Sequence, residues 1–307
     1  MFTFQTNPLN RHGHNRHTSQ FIRRCLQQAN TRFLPVIRQS ILSIEDADGK
    51  MQPLLLKQGE LESVISNIET KHLIYLGEME QQHYFTFRLK SKALVEGFAA
   101  VARHNNVVLT DLRQLFKHLS PNQAHLCNVA VALEHWHNTH QYCGVCGHAT
   151  YATQSGFVRT CSNPQCETEH FPRTDSAVIC AITHQDRLLL GRQKNWPEHL
   201  YSVIAGFVEP GETLEQAVAR EAYEETGLPL SNIQYYQSQP WPFPQSLMVG
   251  FTAEANHDTV KLLDKELEHA RWFTREEVRR ESENGKLVLP FKYSISRTLV
   301  NQWLNTD

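Results

Sequence analysis

The sequence predicts an α+β protein with more than one domain, and three observations carry that reading. Residues 41–92 alternate apolar and polar positions, residues 94–140 switch to helical spacing, and a cysteine-rich insert gives way to fresh strand patterns after Pro172. With 307 residues, of which 40% are hydrophobic, the chain can bury a real core, and at about 100–200 residues per domain it has room for two. The 30 basic and 32 acidic residues leave a formal charge of -2, so no global field draws the chain to nucleic acid or membrane. Any anion site has to be local.

In chain order, residues 1–93 form a β-rich N-terminal domain, with LIYLGE and HYFTFRLK as amphipathic strands between Gly and charged breaks. The tract holding His12, His14 and His17 fits no tight metal template and is expected to be a solvated tail. Residues 94–142 form a helical connector, in which Ser120-Pro121 is a helix start signal. Residues 143–171 are a short turn-rich insert, and residues 172–307 a second α+β domain. That domain opens with strands in SAVICAITH and RLLLGR, then gives a helix over 213–226, strands near 231–238 and 247–254, a short helix near 265, and helices around 274–282 and 293–304. The N-terminus lacks the apolar region of a signal peptide, and no apolar run approaches the ~18 residues of a membrane span. A cytoplasmic protein with no membrane partner is expected.

Seven cysteines, an odd number, argue against a disulfide framework in such a chain. Four of them, Cys143, Cys146, Cys161 and Cys166, give C-x2-C, fourteen residues, then C-x4-C. Two close pairs on separate knuckles supply the thiolate tetrahedron that zinc prefers, in a segment too short to build a core of its own. Gly144 and Gly147 suit the first knuckle. One structural Zn2+ per chain is expected, and four protein ligands leave it no open position for a catalytic water. Cys25, Cys127 and Cys180 read as ordinary buried thiols.

The stretch AGFVEPGETLEQAVAREAYEETGL carries the chemistry. Thr213 and Gln216 form a capping box, and Gly227 suits the left-handed residue that ends a helix. Around a helical wheel centred on Glu221, Leu214, Ala217 and Val218 fall within about 60° of it, and so do Glu224 and Glu225. The acids therefore continue the apolar stripe, while Gln216, Ala219 and Tyr223 take the outer face. They also crowd the C-terminal turns, where the macrodipole disfavours each by about 0.3–1 kcal/mol. Arg220 can neutralise one acid, whereas hard divalent cations neutralise several at once. An amphipathic helix with an acidic solvated end is the weaker account.

Ten residues beyond lies SQPWPFPQS, Ser238 to Ser246. Three prolines at alternate positions exclude a helix interior or central strand and leave a stiff, extended rim or loop. Trp241 and Phe243 are held there as flat faces suited to stacking on a base or nicotinamide, with Gln239, Gln245 and Ser246 as hydrogen-bonding groups.

Gly206, five residues, Glu212, seven residues and Arg220-Glu221-Ala222-Tyr223-Glu224-Glu225-Thr226-Gly227-Leu228 resemble the full Nudix box. The resemblance implies a Nudix α/β/α sandwich with a mixed sheet, and a loop–helix–loop that holds Mg2+ or Mn2+, two or three ions, against a diphosphate. By matching position, Glu221, Glu224 and Glu225 would be metal ligands, with the Ala205 carbonyl a further one. The box, the four-cysteine ribbon before it and SQPWPFPQS after it look like the NADH pyrophosphatase subfamily, whose members cleave NADH to reduced nicotinamide mononucleotide and AMP, some also removing NAD caps from RNA. That resemblance assigns Gln239, Pro240, Trp241, Pro242, Phe243, Pro244, Gln245 and Ser246 to substrate binding, Glu266 to the metal site, and Ser296 and Phe171 to substrate contacts. It also suggests a homodimer. Three positions depart from the family: the second cysteine pair is x4 rather than x2, Phe171 replaces a tyrosine, and Gly156 stands where an acidic residue can occur. The expected chemistry is water attack on phosphorus, with Glu225 as the candidate proton acceptor and Glu266 the alternative. Hydrolysis of ADP-ribose or a nucleoside triphosphate is the rival within the family, and an inert RNA-binding protein the rival outside it.

Overall fold

The computed structural model describes residues 7–65, 72–89, 94–102 and 106–306. Its contacts divide the chain into two compact units, one of the chain up to Arg173 together with Pro242–Gln245, the other of Thr174–Trp241 and the chain from Ser246 onward.

The first unit begins with α1 (Ser19–Leu26), β1 (Arg32–Ile37), β2 (Ser40–Glu45), β3 (Met51–Pro53), α2 (Gln58–Val64), β4 (Ile74–Met79) and β5 (Gln82–Arg88). It continues with α3 (Leu94–Ala102), β6 (Val107–Asp111), α4 (Leu112–Leu115) and α5 (Pro121–Thr139). The sheet runs β3-β2-β1-β5-β4 with β6 also on β2, and β1 lies parallel to β5. Phe33, Tyr75, Phe85, Phe87 and Phe98 fill its core. Strand β6 corrects the expectation of a purely helical stretch over 94–140: VVLTD is five residues of β-branched and apolar chain that completes the sheet by pairing with β2. Helix α5 starts as expected, with Ser120 and Gln123 closing a capping box around Pro121. The histidine tract is a solvated tail only in part: His14 and His17 are exposed, but the segment around His12 is anchored. Leu9 is fully buried, Asn10 bridges to Glu78, and His12 Nε2 lies 2.7 Å from the Glu78 carboxylate. Residues 90–92, the end of the strand-like stretch, lie outside the described residues. The cysteine-bearing segment adds a small sheet of β7 (Thr150–Thr153), β8 (Val158–Cys161) and β9 (Glu169–His170).

The second unit contains β10 (Asp175–His184), β11 (Arg187–Gln193), β12 (Ile204–Phe207), α6 (Leu214–Thr226), β13 (Leu230–Trp241), β14 (Ser246–Ala255), β15 (Leu267–Phe273), α7 (Arg275–Glu283) and α8 (Ile295–Asn305). Its sheet runs β13-β14-β10-β11-β15 with β12 on β10, and it is mixed because β10 and β14 are parallel. Successive residues of β10 point to opposite faces. Val178, Cys180 and Ile182 join Ala217, Val218 and Ala222 of α6 in one core, while Ile179 and Ala181 join Val278 of α7 and Leu299 and Trp303 of α8 in another. That is the expected α/β/α sandwich. The expected short helix near 265 is absent: residues 256–266 form a loop that ends directly in β15.

The stiff rim or loop expected of the proline segment is strand through Trp241 and a turn over 242–245. Strand β13 is the edge of its sheet, and Pro240 sits there opposite Leu247, where a missing N–H costs least. The strand ends at Trp241, and the connecting turn carries Phe243 into the first unit, where it is only 8% exposed, its ring edge-on to Phe116 and under the Arg113 guanidinium at 4.5 Å. Phe243→Ala is therefore expected to lower stability by about 3 kcal/mol, the low end for a buried phenylalanine; a change in unfolding free energy well under about 1 kcal/mol in denaturant titration would contradict this placement.

Candidate active site and metal centre

The glutamate helix forms as its ends require. Thr213 and Gln216 close the predicted capping box, and Gly227 takes φ 69°, a left-handed conformation that ends α6 without a Cβ penalty. The inward stripe is realised for two of the three acids. Glu225 is 2% exposed and Glu221 half-buried, whereas Glu224 faces outward.

Arg220 does more than offset one charge. Its Nε and Nη2 grip Glu212 at 2.6 and 3.0 Å, its Nη1 reaches Glu221 and Glu224 at 2.9 Å each, and Nη2 also donates to the Phe207 carbonyl at 2.8 Å. The Arg220 bond holds Glu212 below the usual carboxylate range. Glu221 shifts the other way, because burial outweighs the Arg220 contact. Glu225 has no such partner: burial, then the charges of Glu266 and Glu221, push its carboxyl up to about 9. Across from the helix, β12 supplies Ala205 and Gly206, and a Cβ on Gly206 would stand 1.9 Å from the Glu221 carboxyl carbon. Only glycine lets that carboxylate lie against the strand.

Glu225 and Ala205 line a cavity of about 380 Å³ whose walls also carry Trp241, Gln239 and Ser296. Glu266 lies beside it, exposed, with its Oε1 accepting from Gln193 Nε2 at 2.8 Å. The fold thus gathers Glu221, Glu225, Glu266, Ala205, Trp241 and Ser296. Other expected substrate contacts are not gathered. Gln239 lines the cavity, but its amide is spent on the Tyr293 carbonyl and the Ile295 N–H, each at 2.7 Å, so it clamps the start of α8. Ser296 Oγ meets Ser202 Oγ at 2.7 Å. Pro240 and Ser246 are sheet residues, and Pro242, Phe243, Pro244 and Gln245 belong to the first unit, as does the exposed Phe171. Sequence reading missed Gln193, Trp196 and Phe291. Trp196-Pro197 and Pro290-Phe291 repeat the proline–aromatic pairing of SQPWPFPQS, which could have flagged two of them; Gln193 is 73 residues from its partner and leaves no local signal.

The four ribbon sulfurs lie within 4.8 Å of one another, with Cys146 to Cys161 at 3.4 Å and Cys143 to Cys166 at 3.8 Å. A zinc–sulfur bond of about 2.3 Å gives a tetrahedral edge of about 3.8 Å, so the set fits zinc, and the x4 spacing does not spoil it. The N–H groups of Val145 and Asn163 point at Cys143 and Cys161 Sγ, both at 3.4 Å, and His170 Nε2 stands 3.3 Å from Cys143 Sγ. Cys25, Cys127 and Cys180 are buried with their thiol pKa values raised by burial, as inert thiols are.

Three family models match the chain in succession: an NADH pyrophosphatase-like rudimentary NUDIX domain over residues 30–136, an NADH pyrophosphatase zinc ribbon domain over 138–171, and a NUDIX domain over 172–290. The chain therefore carries an NADH pyrophosphatase-like rudimentary NUDIX domain, an NADH pyrophosphatase zinc ribbon domain and a NUDIX domain. The NAD-capped RNA hydrolase NudC of Mycobacterium bovis is 41% identical over 203 residues, 63% of this chain and 64% of that protein. Human NAD-capped RNA hydrolase NUDT12 is 39% identical over 183 residues, 56% of this chain and 40% of its own length. A NUDIX hydrolase structure from Nitrosomonas europaea aligns at a TM-score of 0.44 and 20% identity, covering 53% of this chain and 90% of that one. The match spans under two thirds of the length of these curated relatives.

Two outcomes follow from this chemistry. Purified protein should carry about one zinc per chain by metal analysis, and Cys146→Ser should lose the metal and the fold of the ribbon; zinc-free protein with an intact ribbon would contradict the site. An acid whose folded pKa of about 9 exceeds its unfolded value near 4.3 stabilises the fold below that lower value and loses the contribution as pH rises through the higher one. In chelator, thermal stability should therefore fall between pH 5 and 9 and recover with divalent cation, while Glu225→Gln flattens the fall; an unchanged slope in that variant would refute the burial argument.

Proposed function

We propose that the chain hydrolyses the pyrophosphate bond of NADH or NAD+ to a nicotinamide mononucleotide and AMP, and removes NAD caps from RNA. The observation that carries this reading is a single cavity holding the buried acid Glu225 together with the rings of Trp196, Trp241 and Phe291. Such a cavity suits a substrate with a charged centre and flat ends. NADH pyrophosphatase models over two successive segments, a NUDIX model over the third and the printed names of the relatives support it.

Hard carboxylate oxygens crowded at the end of α6, one of them with its pKa raised to about 9 chiefly by burial, fit Mg2+ or Mn2+. Glu221, Glu224, Glu225 and the Ala205 carbonyl would hold two or three such ions. When bound, they neutralise the diphosphate and lower the pKa of a water. Glu266 suits the proton acceptor better than Glu225, because it is exposed and oriented by Gln193, whereas Glu225 is almost wholly buried. Water oxygen bonds to phosphorus, the bridging P–O bond breaks, and the water's proton passes to Glu266. Trp241 stacks on a ring of the dinucleotide, and Ser296 offers its hydroxyl. The family reading extends to a cytoplasmic homodimer.

A panel of NADH, NAD+, NAD-capped RNA, ADP-ribose and a nucleoside triphosphate, assayed with Mg2+ and Mn2+, tests this reading; preference for either of the last two would replace it. Glu225→Gln should raise the metal concentration needed for half activity, while Glu266→Gln should cut kcat at least 100-fold with KM near wild type. Trp241→Ala should lower kcat/KM for NADH about 10- to 100-fold, as loss of one stacked ring implies, and Phe243→Ala should leave it nearly unchanged. Equal losses in the two aromatic variants would sink the assignment of Trp241.

A further inference from the structure

Arg11 and Arg16, both half-buried in the first unit, converge on one ring. The Arg16 Cζ stands 3.7 Å over Phe157 and the Arg11 Cζ 5.8 Å from the same centroid, both within the ~6 Å of a cation–π contact. Stacking covers the flat face of a guanidinium and leaves its edge, where the N–H groups lie, to donate. Each Nε is sealed and without a partner, so only the Nη groups can meet a ligand. None of those four nitrogens is sealed in this way, and among the described residues none meets an acceptor.

The two charges are not answered. Half-buried guanidiniums normally pair with carboxylates. Here burial lowers the pKa of Arg11, and burial and then the Arg11 charge lower that of Arg16, while no acid among the described residues draws either back up. Glu78, which anchors this segment, is taken by His12 at 2.7 Å. The same field reaches His125, whose pKa is lowered by burial and then by Arg11. The pair is also held in place. Leu9 is fully buried just before it, the Arg16 N–H donates to the His12 carbonyl at 2.8 Å, and the Ser155 hydroxyl donates to the Arg16 carbonyl. His12, Gln154 and Ser155 take φ of 45°, 46° and 58°, left-handed conformations that such residues keep only where the surrounding structure imposes them.

Two fixed forks with two positive charges suit a tetrahedral dianion. A carboxylate is planar and singly charged, and would leave one guanidinium unanswered. A phosphate monoester brings a charge of about -1.5 to -2 at pH 7 and three strong acceptor oxygens. We propose that Arg11 and Arg16 form a binding site for a phosphate dianion, their Nη groups donating to its terminal oxygens. Inorganic phosphate and free nucleotides share this chemistry with the 5′-phosphate of an RNA strand.

Calorimetric titration of the full, zinc-loaded chain with inorganic phosphate tests the site. At pH 8 the ligand is a dianion, and without Mg2+ or Mn2+ the crowded acids of α6 repel it, so binding there does not interfere. Saturable binding at one site per chain is expected, weakened at least tenfold in the double variant Arg11→Gln, Arg16→Gln. No saturable binding, or an unchanged affinity in that variant, would overturn the proposal. Should the double variant fail to fold, Arg16→Lys keeps the charge and the stem but loses the fork; with zinc content at the wild-type value it should still weaken phosphate at least threefold, and an unchanged affinity would count against the site. An RNA strand ending in a 5′-phosphate, compared with the same strand ending in a 5′-hydroxyl and with AMP, separates the sources. Tighter binding of the phosphorylated strand than of AMP, lost in Arg16→Lys, assigns the site to RNA ends. Strands that bind alike while AMP still binds assign it to a free phosphate ligand.

Discussion

The second unit is organised around acids crowded where a helix least tolerates them. Glu221, Glu224 and Glu225 sit in the last turns of α6, at the negative end of its macrodipole, and two of them turn toward the core. Everything nearby answers to that. Arg220 spreads one guanidinium over Glu212, Glu221, Glu224 and the Phe207 carbonyl, tying the loop before the helix to its far end. Gly206 must be glycine because the Glu221 carboxyl occupies the space of a Cβ. Only Glu225 is left without a counter-charge, and it is the acid that lines the cavity. Burial without a counter-charge costs stability at that one carboxylate.

The wall opposite depends on the sheet. Alternation along β10 sends one set of side chains to α6 and the other to α7 and α8, so both layers are fixed by a single strand. The Gln239 clamp on Tyr293 and Ile295 then sets where α8 begins, and with it where the Ser296 and Ser202 hydroxyls meet. Gln239 thus acts on the cavity through the backbone it holds rather than through a free amide.

Legibility in the sequence followed locality. The capping boxes at Ser120 and Thr213, the left-handed Gly227 and the four-cysteine spacing are short-range patterns, and each forms as read. The Arg220 and Glu212 pairing spans eight residues and was visible only as box positions. Strand β6 failed the reading because five residues between two helical stretches carry too few periods to outweigh their neighbours, and its partner β2 lies more than sixty residues away. The short helix expected near 265 is a loop in which Glu266 accepts from Gln193, 73 residues away. The His12 contact with Glu78 was likewise invisible, being a link across 66 residues.

The proline segment shows why spacing alone misleads. Trp241 and Phe243 stand two apart, and on a continuing strand both rings would face the same side. The strand ends at Trp241, and the turn through Pro242–Gln245 rotates the chain before Ser246 pairs back. Trp241 keeps the side that the sheet gave it and lines the cavity, while Phe243 is turned out of register and seats against Phe116 and Arg113. The rings that share the cavity with Trp241 come instead from Trp196 and Phe291, distant in sequence but each fixed beside a proline of its own. An aromatic next to proline is held on a backbone with φ already set, so less freedom is lost when a ring stacks on it. Rigidity at three separate points, rather than two rings on one rail, is how the fold lines this cavity with flat faces.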